Sequence, residues 1–434
     1  MMSKITRKIG WPIFIVLAIV PAAFWIMIEP LGGRFFDWQL AFTSIGQLLG
    51  LIGMALFSLN LILAARLKWL EPFFFGLNRV YIKHHLVGAL ALILLLFHPL
   101  FLAVRMIPFS LREAALFFVP FNDSAVTYGI FALLLLIALL AVTFYAKWPY
   151  ERWKASHKFL GLAFFLASLH MFFIPSDVSR SASLRAYMFF LVMAGLAAVI
   201  YRSIFSAILV RKYKYTVAAV REVNPAVIEI ELAGGEKNLR HEPGQFLFIS
   251  FRQPGIGAEY HPFTIASGSG SSNLKLTIKN LGDFTAELKK LKAGASAKIE
   301  GPFGKFSYLE APGREQIWLA GGIGITPFLS MARSLKPAGG YRIDLFYCVR
   351  TMEEAVFIDE LNEIARRDPQ LRVIPFCTDI EGYLSAETVA KHCALAGKEI
   401  FVCGPPAMMK GLKDQFRKLN IPADRIHSEE FALL

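Results

Sequence analysis

Six long apolar stretches fill the first half of this chain, and nothing in the second half resembles them. A helix that crosses the hydrocarbon core of a bilayer needs about 20 apolar residues. Segments at about 10–28, 43–64, 82–104, 125–145, 157–174 and 185–206 meet that need, the fifth being the shortest. The stretch from Trp11 could pass for a signal sequence, but no small-residue cleavage site follows it, and Glu29-Pro30 ends it. The expected fold class is therefore a multi-domain membrane protein: an all-α six-helix transmembrane bundle over residues 1–210, followed by an aqueous half.

Basic residues in the short connections orient such a bundle. One side holds Lys4, Arg7, Lys8, Arg66, Lys68, Arg79, Lys83, Lys147, Arg152, Lys154, Lys158, Arg211, Lys212 and Lys214, the other Arg34, Arg105, Arg112, Arg180 and Arg185. Both termini and the aqueous half are thus expected in the cytoplasm. The net charge of +13 comes largely from these flanks, and no compact basic motif sits on the aqueous half, so nucleic-acid binding is not expected. The four cysteines (Cys348, Cys377, Cys393, Cys403) lie in that half without CxxC spacing. Reduced thiols fit better than a disulfide framework or a zinc site.

Ionisable side chains inside a bilayer are costly and point to function. His84, His85 and His98 fall on the third apolar stretch, and His157 and His170 on the fifth. These two spans run in the same direction. His84 and His157 fall at one depth, His98 and His170 at another, about 20 Å along the helix. Paired neutral imidazoles are good axial ligands for haem iron. Two haems, one per leaflet, are expected, held without covalent attachment because no CxxCH occurs. Fourteen residues bring His98 back within about 40° of His84 on a helix. The thirteen between His157 and His170 do not, so a local distortion is expected there, or else offset cofactors. His85 is the alternative to His84.

From Tyr213 short alternating strands begin (YKYTVAAV, AVIEIEL, QFLFISF, LKLTIKN, SAKIEG), punctuated by Gly and Pro. They suggest a small antiparallel β-barrel over residues 211–311. Within it, His261, Pro262, Phe263 and Thr264 offer a rigid aromatic wall and a hydroxyl to a flavin ring. After Lys279, Gly282 and Thr285 open an expected helix at 285–291 whose free N–H groups suit a pyrophosphate. From residue 312 strands alternate with helices, the pattern of an α/β doubly wound parallel sheet. Its first turn holds Gly321, Gly322, Gly324, Thr326 and Pro327, which would let a backbone approach a dinucleotide pyrophosphate, although the GxGxxG pattern is absent. Arg350 follows the second strand, where it could meet a 2′-phosphate, or be a solvated loop residue. Cys403, Gly404 and Pro405 end the fourth strand, with Cys403 either beside a nicotinamide or a small residue at a tight turn. Phe431 could cover the flavin ring or dock to the sheet.

These motifs together resemble the ferric reductase and NADPH oxidase superfamily, from about Ser44 onward. The resemblance rests on the paired histidines at 14 and 13 residues and on HPFT at 261–264, GDFT at 282–285, GGIGITPF at 321–328 and CGPP at 403–406. It implies that His84 with His157 holds an inner haem b and His98 with His170 an outer one. It implies that 261–264 and 282–285 bind FAD, and that 321–327, Arg350 and Cys403 bind NADPH, or NADH. Two positions depart from the family. Leu102 stands where animal oxidases carry a further histidine, and three residues follow Phe431. The expected activity is electron transfer from cytoplasmic NAD(P)H through FAD and the haems to dioxygen, forming superoxide, in a bacterial inner membrane. It is expected to be constitutive and to need no obligatory protein partner. Alternatives are a ferric-chelate reductase, with Arg105, Arg180 and Arg185 attracting the anion, a haem donor to a periplasmic protein, and a transporter regulated by nucleotide.

Overall fold

The structure is a computed structural model that describes residues 9–429 except 75, 122, 147, 149, 236, 237 and 338. It forms two compact units that divide between Val210 and Arg211. Among the described residues, six helices in the first unit are long and apolar enough to cross a membrane. They are α1 (Gly10–Ile28), α2 (Trp38–Ala64), α3 (Leu77–Val104), α4 (Ser124–Tyr145), a fifth segment made of α5 (Tyr150–Lys158) and α6 (Leu160–Phe173), and a sixth whose body is α7 (Ala182–Ile200). All six fall on the apolar stretches read from the sequence.

Their ends follow from local chemistry. Asp37 and Asp123 cap α2 and α4, each carboxylate accepting the backbone N–H of the helix's third residue, Leu40 and Val126, at 2.8 Å. The fifth span is broken at Phe159. There the Phe159 N–H donates to the Ser156 carbonyl at 3.0 Å and the Leu162 N–H to the Phe159 carbonyl at 2.9 Å, bonds tighter than those of an α-helix. The break lies between His157 and His170, where the 13-residue spacing led to the expectation of a distortion or of offset cofactors. Glycines bring α2 and α3 together: a Cβ on Gly53 would stand 2.9 Å from Leu95 Cγ, and one on Gly46 2.9 Å from Leu102 Cδ2. Arg34, which ends a four-residue helix (Leu31–Arg34) after α1, is buried and paired with buried Asp177 at 2.9 Å, and it donates to the Trp25 carbonyl at 2.7 Å.

The second unit begins with β1 (Tyr213–Asn224), β2 (Val227–Gly234), β3 (Phe246–Arg252), β4 (His261–Thr264), β5 (Asn273–Lys279) and β6 (Ser296–Phe303). They form an antiparallel sheet in the order β4-β3-β6-β1-β2-β5, and a bridge between Ile265 and Leu276 joins its two edges into a barrel. Ile230, Leu232, Leu247, Ile249, Phe251, Leu276 and Ile299 fill it. The helix expected at 285–291 starts earlier, as α8 (Asp283–Glu287), and ends in a 3₁₀ turn (Leu288–Lys290). It starts at Asp283 because the Thr285 hydroxyl accepts the Gly282 N–H at 3.0 Å, which makes Gly282 the capping residue.

The remainder is a parallel sheet: β7 (Glu315–Gly321), β8 (Arg342–Val349), β9 (Leu371–Cys377), β10 (Glu399–Cys403) and β11 (Ile426–Glu429), in the order β11-β10-β7-β8-β9. Helices α9 (Thr326–Ala332), α10 (Ile358–Arg367), α11 (Ala386–His392) and α12 (Pro406–Lys418) connect the strands. The chain winds away from β7 on one side and returns on the other through β10. The strand order therefore reverses between β7 and β10, where a nucleotide crevice forms in such sheets.

Candidate functional site

In the first unit, α3 and the fifth span bring their histidines into two facing pairs. The rings of His84 and His157 lie 6.3 Å apart between centroids, and those of His98 and His170 lie 6.1 Å apart. Two imidazole–metal bonds of about 2.0 Å plus the half-width of each ring add to about 6 Å. Both pairs therefore fit a bis-histidine iron centre. The second test is the other ring nitrogen, which a ligating histidine normally donates to a carbonyl or carboxylate. His98 Nδ1 lies 2.7 Å from the Gly46 carbonyl, and His170 Nδ1 lies 2.8 Å from the Ala125 carbonyl. That leaves Nε2 of each as the atom that could ligate a metal. In the other pair, His157 Nδ1 is 3.4 Å from the Thr143 hydroxyl. His84 Nδ1 is buried beside the Asn60 backbone without a well-formed hydrogen bond among the described residues. His85 is exposed, next to His84, while the ring facing His157 at pairing distance is that of His84. Sequence reasoning missed the glycines behind the rings. A Cβ on Gly50 would stand 2.7 Å from His98 Nδ1, and one on Gly129 2.7 Å from His170 Nδ1.

The barrel gathers the flavin candidates around β4 and α8. The His261 ring stacks on Phe284 at 3.6 Å, nearly parallel, and Phe263 lies parallel to Phe284 at 6.4 Å. His261 Nε2 is 3.3 Å from Glu259 Oε2. Pro262 sits opposite Phe248 on the edge strand, where its missing N–H costs no ladder bond. Thr264 is buried opposite Phe246, and Lys279 closes β5. The Ser267 hydroxyl, just beyond β4, is buried with no hydrogen-bond partner among the described residues. Such an orphan polar atom beside an aromatic wall fits a ring with polar edges.

The nucleotide candidates meet at the strand-order reversal. Gly321 at the end of β7 and Gly404 at the end of β10 pack against each other: a Cβ on Gly404 would stand 3.0 Å from the Gly321 Cα. A Cβ on Gly324 would stand 2.4 Å from the Cys403 carbonyl. Gly322 has φ +54° and open space beside it. Thr326 and Pro327 open α9 after a 3₁₀ turn. Pro405 leads into α12. Arg350 follows β8, is mostly exposed and sits 3.5 Å from Glu354. Cys403 is fully buried, its Sγ 3.7 Å from the Glu429 carbonyl. Burial, with Glu429 adding, pushes its thiol well above the usual range. Phe431 lies outside the described residues.

The comparisons agree with this division. Residues 49–168 match the ferric reductase-like transmembrane component, 212–307 an FAD-binding domain and 318–414 an oxidoreductase NAD-binding domain. Among curated proteins, the ferredoxin reductase component of the 3-ketosteroid-9-alpha-monooxygenase of Mycobacterium tuberculosis is 30% identical over 206 residues, 46% of this chain and 57% of that protein. Ferredoxin–NADP reductase B of Sorangium cellulosum is 28% identical over 239 residues, 50% of this chain and 97% of that protein. The chain thus spans little more than half the length of the first relative. Flavohemoglobin from Malassezia yamatoensis, with bound FAD and haem, superposes with a TM-score of 0.50 at 17% identity, covering 81% of this chain and 98% of that one, a likeness of fold alone. With a ferric reductase transmembrane domain followed by FAD-binding and NAD-binding domains, this oxidoreductase has the architecture of the ferric reductase and NADPH oxidase superfamily.

Proposed function

We propose that this protein moves electrons from cytoplasmic NAD(P)H across the bilayer to dioxygen on the far face, forming superoxide. The carrying observation is the pair of facing imidazole couples, 6.3 and 6.1 Å apart, stacked along the same two spans of a chain that ends in a flavodehydrogenase. In this reading His84 and His157 hold the inner haem b, and His98 and His170 the outer one. A bound FAD would supply the chemistry that lets a two-electron nicotinamide donor feed one-electron carriers.

The chain's own residues bind and position. His261 to Thr264 and Lys279 line the flavin site, with Gly282 and Thr285 at its pyrophosphate end. Gly321, Gly322, Gly324, Thr326 and Pro327 let the nucleotide backbone approach α9. Cys403, Gly404 and Pro405 bound the nicotinamide side, and Arg350 faces the ribose, where a 2′-phosphate would pair with its guanidinium. The FAD domain runs over 211–311 and the nucleotide domain over 312–434. The basic bias of the connections supports a cytoplasmic dehydrogenase in an inner membrane.

The test is a visible spectrum of the detergent-purified protein before and after NADPH under anaerobic conditions, followed by air. A b-type bis-histidine spectrum, reduced by NADPH when FAD is present and rapidly reoxidised in air with superoxide formed, is the expected result. Slow reoxidation in air, with fast reoxidation by a ferric chelate or a periplasmic protein fraction, moves the acceptor to iron or a protein. A preparation without haem, even when haem is supplied during expression, defeats the proposal and leaves the nucleotide-regulated transporter.

A further inference from the structure

Two histidines on different helices are seated in the same way. His98 Nδ1 approaches the Gly46 carbonyl of α2 to 2.7 Å, and a Cβ on Gly50, one turn further along α2, would stand 2.7 Å from that nitrogen. His170 Nδ1 approaches the Ala125 carbonyl of α4 to 2.8 Å, and a Cβ on Gly129, one turn further along α4, would stand 2.7 Å from that nitrogen. Each seat is a carbonyl at position i and a bare Cα at i+4. A helical carbonyl already accepts the N–H of residue i+4 but has a second lone pair. A side chain at i+4 normally covers the approach to it, because side chains lean back over the preceding turn. Glycine uncovers it. The clash a Cβ would make is with ring atoms held between packed helices, so neither ring can swing aside as a flexible side chain would.

Among the described residues the other pair has no such seat. Gly88 on α3 faces Asn60, not an imidazole, and His157 Nδ1 meets a hydroxyl at 3.4 Å.

We propose that Gly50 and Gly129 are positioning residues: by opening the Gly46 and Ala125 carbonyls to Nδ1–H, they fix the tautomer and ring angle of His98 and His170 so that both Nε2 atoms face one iron. This rests on the haem reading above. It also goes beyond it, because it makes ligand geometry at one centre depend on two residues that touch no metal.

The experiment uses the full chain expressed with haem supplied, as wild type, Gly50→Ala, Gly129→Ala and Gly53→Ala. The last is a packing control on the same helix, since its Cβ would stand 2.9 Å from Leu95 Cγ instead of an imidazole. The readouts are haem-to-protein ratio, low-spin ferric electron paramagnetic resonance and FAD content as a check on folding. Gly50→Ala and Gly129→Ala are expected to lose or shift one low-spin component, with up to half the haem absorbance, while the other component and FAD stay at wild-type levels. Gly53→Ala keeps both components. Unchanged spectra in the first two variants overturn the inference. So does loss of the same component in Gly53→Ala, or equal loss of both components in any variant, which would mean packing alone. Wild-type protein without haem defeats the parent proposal, a different result from haem-replete protein indifferent to these glycines.

Discussion

A histidine that ligates iron through Nε2 is tuned by what its Nδ1 meets. Both Nδ1 atoms of the His98–His170 pair lie within 2.8 Å of carbonyls, while those of His84 and His157 have weaker partners or none of good geometry among the described residues. A carbonyl acceptor makes the imidazole more electron-rich, which favours ferric iron and lowers the potential. In an anaerobic redox titration the component missing from His170→Ala is therefore expected to be the lower-potential one; the opposite order would remove this account of the tuning. The thiols give a second expectation. Burial raises Cys348 up to about 12, with Glu381 adding, and Cys393 to about 11, with Asp344 adding, while Cys403 lies well above its usual range. A raised pKa leaves thiolate scarce at pH 8, and thiolate is the reactive form. Aromatic disulfide reagents should label these three at least about tenfold more slowly in the folded protein than after unfolding, with reactivity rising as the pH approaches 11. Rapid labelling of Cys403, found by peptide mapping at pH 8, would contradict its burial. At this scale the histidines were legible because an ionisable group in an apolar run stands out. The glycines behind them were not, since glycine is common in membrane helices and its spacing does not say what it faces.

The elements that the sequence announced are those whose periodicity is long. Six apolar runs became six helices, and five alternating runs became β1, β2, β3, β5 and β6. The two missed strands, β4 and β11, have four residues each and lie at sheet edges, where pairing on one side needs no sustained pattern. The break at Phe159 was legible as arithmetic, since thirteen residues cannot return to one helix face. What holds elements together was less visible. Arg333, just past α9, donates to both carboxylate oxygens of Glu360 in α10 at 2.7 and 2.8 Å and to the Ala266 carbonyl at 2.8 Å, and lies 3.6 Å from Glu229 in β2. It thereby staples the barrel to the nucleotide sheet within the second unit. Lysine cannot reproduce that fork. Glu360 is 38% exposed, so solvent screens part of the interaction. Arg333→Lys is expected to cost about 1–3 kcal/mol, read as an earlier release of flavin fluorescence on heating. An unchanged melting profile would show that the staple contributes nothing.

For the whole molecule the two units divide the work, and each has its own counterpart among known proteins. Residues 49–168 match a transmembrane component, while half of this chain accounts for 97% of the length of a ferredoxin–NADP reductase. The second unit has its own filled barrel and its own sheet core. Flavin reduction and transmembrane transfer should therefore separate on mutation. The segment Arg211–Leu434 expressed alone is expected to bind FAD and to reduce ferricyanide with NADPH. The full chain carrying His84→Ala should keep that rate within about twofold, because His84 belongs to the first unit and takes no part in nicotinamide oxidation, whose barrier is left unchanged. The same variant should lose superoxide formation, since electrons would have no inner haem to enter. His170→Ala differs in one respect: NADPH should still reduce the remaining haem, but slowly reoxidised in air. If His84→Ala formed superoxide as fast as wild type, the electrons would be leaving from the flavin directly, and the histidine pairs would have to be given another role. If it lost ferricyanide reduction as well, the two units could not be the independent modules that their separate cores and separate relatives imply.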